Sequence, residues 1–210
     1  MAENNSTGTV FQINFVNNSI NPGTFMVFQQ DPNLAMPEIT SLAWVTKFAN
    51  PNTEGFFSWS INYNFSWRES ESVASGITVG TSQSFPAGAG LLTMNGITLT
   101  YDEGYSFIDP IDQSPGGSMY IKQDGTIPLK QATVGIGMSG APTFMVQAQP
   151  NMELVFTPQP EYWIVFGEFI QGQLIDIQEM TSSAQVLFPP GITKMKATLN
   201  ADNTWTIIPD

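Results

Sequence analysis

The chain has 210 residues, neither His nor Cys, and a formal net charge of −12, from 18 Asp and Glu against 6 Lys and Arg. Those absences exclude disulfides, thiolate and imidazole chemistry and the commonest transition-metal ligands. The shortage of cations argues against a nucleic-acid partner, because neutralising phosphates needs a basic patch.

The first eight residues are polar and are expected to be loose, with residues 9–210 forming a single β-sandwich domain. TVFQINFVN (9–17) alternates at Phe11, Ile13 and Phe15 and predicts a strand. NNSINPG (17–23) is a turn, and TFMVFQQ (24–30) is the next strand. Asp31-Pro32-Asn33 breaks it, and Pro37 keeps the following segment irregular. SLAWVTKF (41–48) is read as a strand. FSWSINYNFSW (57–67) then puts Phe57, Trp59, Ile61, Tyr63, Phe65 and Trp67 on one face and Ser or Asn on the other. Burying that face would contribute on the order of 10 kcal/mol before entropy is subtracted, so the core is expected to be built on it.

Further along, GITVGTSQSF (76–85) predicts a strand. Asn95-Gly96 and Asp124-Gly125 sit between apolar runs, as two-residue hairpin turns do. DPIDQSPGG (109–117) reads as a loop, and QATVGIGM (131–138), 143–149, 154–157, 162–170, 173–178, 185–188, 194–199 and 205–208 as strands, with room for a turn of helix near 176–183. TFMV occurs twice, at 24–27 and at 143–146, each time followed by Gln, Pro and Asn, which raises a duplication. About a dozen strands with little or no helix predict an all-β fold, an antiparallel two-sheet sandwich.

GTFMVFQQDPNL (23–34), SLAWVTK (41–47) and FSWSINYNFSWRES (57–70) together resemble the RhiA family of plant-associated bacteria. The resemblance covers about the first third of the chain. It implies a bacterial protein made without a leader and abundant under density-dependent control. It brings no catalytic residues with it.

The residues that could carry chemistry are few. Asp102, Glu103, Asp109 and Asp112 form the densest acidic cluster and offer hard oxygen ligands for Ca²⁺, though not at EF-hand spacing. The same carboxylates are the best glycosidase pair available, a reading that needs two acids facing across a cleft. Glu69 and Glu71, at the end of the long alternating stretch, read as solvated. Tyr101, Tyr105 and Tyr120 lie beside loops and, with Asn95, could stack and hydrogen-bond a carbohydrate. Sequons occur at Asn4, Asn5, Asn17 and Asn64 and are read as chance matches in an Asn-rich chain.

The remaining feature is a shortage. Soluble β proteins guard sheet edges with Lys, other charges or Pro, and here long strands carry almost none. The expectation is a non-enzymatic, self-associating structural protein, homo-oligomeric or polymeric, with a lectin-like carbohydrate-binding module as the alternative. No stretch is long and apolar enough to span a bilayer as a helix, and no signal peptide is visible at the N-terminus. The protein is therefore expected to be cytoplasmic at synthesis, with a leaderless route left open for export.

Overall fold

Short runs of alternating apolar and polar residues, separated by turn residues, become strands and almost no helix. They do so in the computed structural model, which describes residues 8–30, 39–69, 76, 83–177, 180 and 182–210. The breaks at 31–33 and Pro37, most of 76–82 and Glu71 lie outside those residues. In chain order the strands are β1 (Val10–Asn17), β2 (Gly23–Gln30), β3 (Thr40–Leu42), β4 (Val45–Ala49), β5 (Thr53–Ser60) and β6 (Tyr63–Glu69). There follow β7 (Gln83–Pro86), β8 (Gly96–Tyr101), β9 (Tyr105–Ile111), β10 (Met119–Gln123), β11 (Ala132–Met138) and β12 (Ala141–Gln147). The last are β13 (Met152–Phe156), β14 (Glu161–Gly167), β15 (Leu174–Ile175), β16 (Ala184–Val186), β17 (Lys194–Leu199) and β18 (Trp205–Pro209).

The all-β, largely antiparallel architecture is the expected one; among the described residues it comprises four sheets rather than two. Sheet A has the order β18-β17-β1-β5, sheet B β16-β14-β2-β4, sheet C β15-β3-β12-β11-β6-β7 and sheet D β13-β10-β8-β9. Sheets A and B close over one aromatic core, in which Phe15 of β1 stacks on Phe25 of β2 with ring centroids 4.4 Å apart. Sheets C and D close over a second, where Phe65 meets Phe107 edge-on at 6.2 Å. The chain passes repeatedly between the two sandwiches, so neither is a contiguous stretch of sequence. β1 and β2 belong to the first, β3 to the second, β4 and β5 to the first and β6 to β13 to the second.

The long alternating stretch is the clearest case. It is not one strand: β5 ends at Ser60 in sheet A and β6 begins at Tyr63 in sheet C. The alternation keeps its phase across the break, so all its rings are useful, but to two cores. Phe57 and Trp59 fill the first, Phe65 and Trp67 the second, and Tyr63 packs against both. Ile61, at the break, is about half exposed. The kink is held from outside by the β11–β12 turn. Ser139 Oγ accepts from Ser60 N–H at 3.1 Å and donates to Ser60 O at 2.8 Å, while Ser139 N–H donates to Asn62 O at 2.9 Å.

That turn, Ser139-Gly140 with φ of +53° and +81°, is a tight two-residue hairpin. The two hairpins expected at Asn95-Gly96 and Asp124-Gly125 are absent. β8, which starts at Gly96, pairs with β9 and, in parallel, with β10, whereas β10 pairs with β8 and β13. Likewise 41–48 is extended but split, with β3 in sheet C, β4 in sheet B and Trp44 buried between them. Two of the sequons are structural. Asn17 and Asn64 are buried, and Asn17 Oδ1 accepts from Ser19 N–H at 3.0 Å.

Candidate functional site

The tyrosines and the asparagine proposed for carbohydrate do not form an open platform. β8 and β9 carry Tyr101 and Tyr105 into the second core, with their rings 4.9 Å apart and Tyr105 also 5.4 Å from Trp67. Tyr105 is buried, and that burial, reinforced by Tyr101 and Glu69 nearby, raises its phenol pKa above the ordinary value. Tyr120 is half-buried on sheet D, and its hydroxyl donates to Pro115 O at 3.0 Å. Asn95 is fully buried and holds the loop before β10. Its Nδ2 donates to Ser118 O at 2.9 Å and to Gln113 O at 3.1 Å, and its Oδ1 accepts from Gln113 N–H at 2.7 Å. These buried bonds make Asn95 structural. Asn95→Ala is expected to cost about 2–4 kcal/mol in urea unfolding, because several buried groups lose their partners. A loss below about 0.5 kcal/mol would show that the loop is held elsewhere.

The acidic residues lie at the two ends of β9. Asp102 and Glu103 sit in the β8–β9 turn, Asp109 in β9 and Asp112 just beyond it, and all four are exposed. Asp112 Oδ1 accepts from Met94 N–H at 2.8 Å. Among the described residues no group of three or more acids is placed to share a metal ion. Two open grooves, of about 410 and 460 Å³, lie on the mixed sheets. One is lined by Lys122, Asp124, Asn151 and Glu153, the other by Asn14, Glu54, Phe56 and Lys196.

The sheet edges differ sharply in how they are protected. β7, β15 and β16 are too short to template a long ladder. β4 and β5 meet at a corner closed by Lys47, whose Nζ lies 4.5 Å from the Phe56 ring centroid and donates to Phe56 O. β13 carries Glu153. β9 carries Asp109 and Pro110, and its outward Phe107 N–H is taken by Gln83 Oε1 at 3.2 Å.

Among the described residues β18 is guarded only by Pro209, at its end. Its sequence, WTIIP, contains no charge. Asn200 N–H donates to Thr204 O and Asp210 N–H to Lys194 O, so the even-numbered residues of β18 turn their backbone groups towards β17. Trp205 and Ile207 therefore turn theirs to the open side, where Pro209 presents only its carbonyl. Among the described residues no side chain caps the N–H of Ile207. The uncharged run is visible in the sequence; that this strand lies at an edge is not. Gln83 and Lys47 as edge guards had no sequence signal.

Among the described residues the fold is all-β, with four sheets whose two largest cores are aromatic. The RhiA family model matches residues 8–210, and the chain belongs to the RhiA family. It is 32% identical over 211 residues to protein RhiA of Rhizobium leguminosarum bv. viciae, covering 96% of this chain and 87% of that one. The match extends well past the N-terminal third that carried the sequence resemblance. No solved structure matches the chain. No helix among the described residues is long and apolar enough to cross a membrane.

Proposed function

We propose that this protein is a non-enzymatic structural protein that associates with copies of itself through the open edge at β18. The observation that supports this is the uncharged run Trp205–Pro209 at the end of sheet A, where no side chain among the described residues caps the Ile207 N–H. Two such edges can meet antiparallel about a two-fold axis at Ile207. The pair of Ile207 residues then exchanges backbone hydrogen bonds, and each Trp205 N–H reaches the other copy's Pro209 carbonyl. Sheet A becomes continuous across both copies. The overall acidity opposes association, but β17 beside this edge carries Lys194 and Lys196, two of the chain's six cations, which offset Asp202 and Asp210 flanking β18.

Ile208 tests this without touching the core. It is about half exposed and lies across from Lys196. Ile208→Glu places opposite charges on neighbouring strands of one copy and crowds carboxylates at the joint between copies. Sedimentation at rising concentration is expected to show wild-type protein growing beyond monomer mass and Ile208→Glu shifted at least tenfold in its dissociation constant, with unchanged far-UV circular dichroism. Equal association of the two proteins would refute the β18 joint.

A further inference from the structure

We infer that the chain is a tandem duplication whose halves bind each other by reciprocal strand exchange, so that the binding surface of each half is the other half. The strand order carries this. The first half supplies β1, β2, β4, β5, β6, β7, β8 and β9. In the same order the second supplies β10, β11, β12, β13, β14, β16, β17 and β18. Under that correspondence sheet A, read β18-β17-β1-β5, becomes β9-β8-β10-β13, which is sheet D. Both have a parallel pair at the centre, β17 with β1 and β8 with β10, and antiparallel pairs outside. Sheet B, read β16-β14-β2-β4, becomes β7-β6-β11-β12, the body of sheet C.

The register agrees residue by residue. Tyr162 pairs with Gln29 and Ile164 with Val27 in sheet B; Tyr63 pairs with Met138 and Phe65 with Ile136 in sheet C. On the other side, Val27 pairs with Val45 and Ile136 with Phe144. The side chains keep a trace. Ala49-Asn50-Pro51-Asn52-Thr53-Glu54 corresponds to Ala148-Gln149-Pro150-Asn151-Met152-Glu153, and a Phe and a Tyr follow at equal intervals in both. Asn52 and Asn151 both hold positive φ, at 59° and 57°. The corresponding residues Gln29 and Met138 touch each other, Nε2 to Sδ at 3.7 Å, as equivalent positions do beside a two-fold axis. The repeated TFMV is not part of this pattern. Its copies lie in β2 and β12, whereas β2 corresponds to β11.

Among the eight corresponding strands of either half, the first four and the last four share no sheet; β3 and β15 have no counterpart and extend one end of sheet C. β1, β2, β4 and β5 pair with β14, β16, β17 and β18, and β6 to β9 pair with β10 to β13. The crossings fall at corresponding places, between β5 and β6 and between β13 and β14. This is the arrangement of a swapped dimer whose two protomers have been joined through the 112–118 loop, exposed at 114–117.

Absence of cysteine makes the test clean. The full chain receives Gln30→Cys and Glu161→Cys, directly opposed on β2 and β14, and a protease site inserted at the exposed residues 114–117. After oxidation and cleavage, denaturing electrophoresis without reductant should show one band of full mass, which reductant splits into two halves. The pair Lys196→Cys and Ile208→Cys, on β17 and β18 of one half, should leave the halves unlinked in the same gel. Cleaved protein without added cysteines should still run at the native size of the uncut chain. Halves that separate without reductant in the Gln30/Glu161 variant, or natively after cleavage, would overturn the exchange.

Discussion

Trp44→Ala is expected to destabilise the protein by about 3–5 kcal/mol, the range for truncating a buried aromatic. Trp44 is 1% exposed and lies between β3 of one sandwich and β4 of the other. Its ring meets Trp59 edge-on at 5.3 Å and stacks near Tyr162 at 6.2 Å. Its indole Nε1–H donates to Met138 O at 3.1 Å, which ties the first core to the end of β11 in sheet C. The Met138 sulfur also accepts from Tyr162 and Gln29, so three bonds converge on one residue at the junction. Trp44→Phe keeps most of the packing and loses the hydrogen bond, and should cost about 1–3 kcal/mol. Urea unfolding followed by circular dichroism separates the two. A single transition is expected in both variants, because the chain crosses between the sandwiches too often for one to melt alone. A loss below 1 kcal/mol for Trp44→Ala, or a two-step melt, would contradict this account of the junction.

Gly135→Ala is the second large effect, expected at about 4 kcal/mol or more. β11 is a central strand of sheet C with every residue buried. A Cβ on Gly135 would lie 2.0 Å from Phe144 O and 2.9 Å from Met145 Cα, both backbone atoms of β12. Backbone in a paired strand cannot move aside as a side-chain tip can, so the ladder between β11 and β12 must open. The corresponding position in sheet B is Met26, a large buried side chain, so glycine here answers to how closely β12 approaches and not to the strand position as such. Thermal denaturation should show a large drop in midpoint or insoluble protein. A midpoint within about 2 °C of wild type would mean that the two strands separate at little cost.

Most of the strands were legible because alternation is local. Thr9 to Asn17 and Trp205 to Ile208 fall almost where their periodicity puts them. What the alternation cannot reveal is which sheet a strand joins. Phe57 to Trp67 keeps a perfect period through a kink that moves the chain from one core to another, because a buried face reads the same in either. The hairpin rule failed at Asn95-Gly96 for a related reason: Asn95 is spent on buried hydrogen bonds to Gln113 and Ser118, and β8 finds its neighbours elsewhere in the chain. Tyr105 looked exposed because a turn precedes it, yet its ring points into the core. The acids at 102–112 are close in sequence, yet among the described residues no three of them come together as a metal site. The open edge at β18 depends on what is not beside it, and that is decided by topology alone.

Amide hydrogen exchange at Ile207, measured at low and at high protein concentration, tests the proposed role most directly. If β18 joins copies, the Ile207 N–H exchanges freely when the protein is dilute and becomes protected as concentration rises, in step with the native mass by light scattering. A monomer mass at every concentration, with Ile207 unprotected throughout, would contradict self-association through this edge.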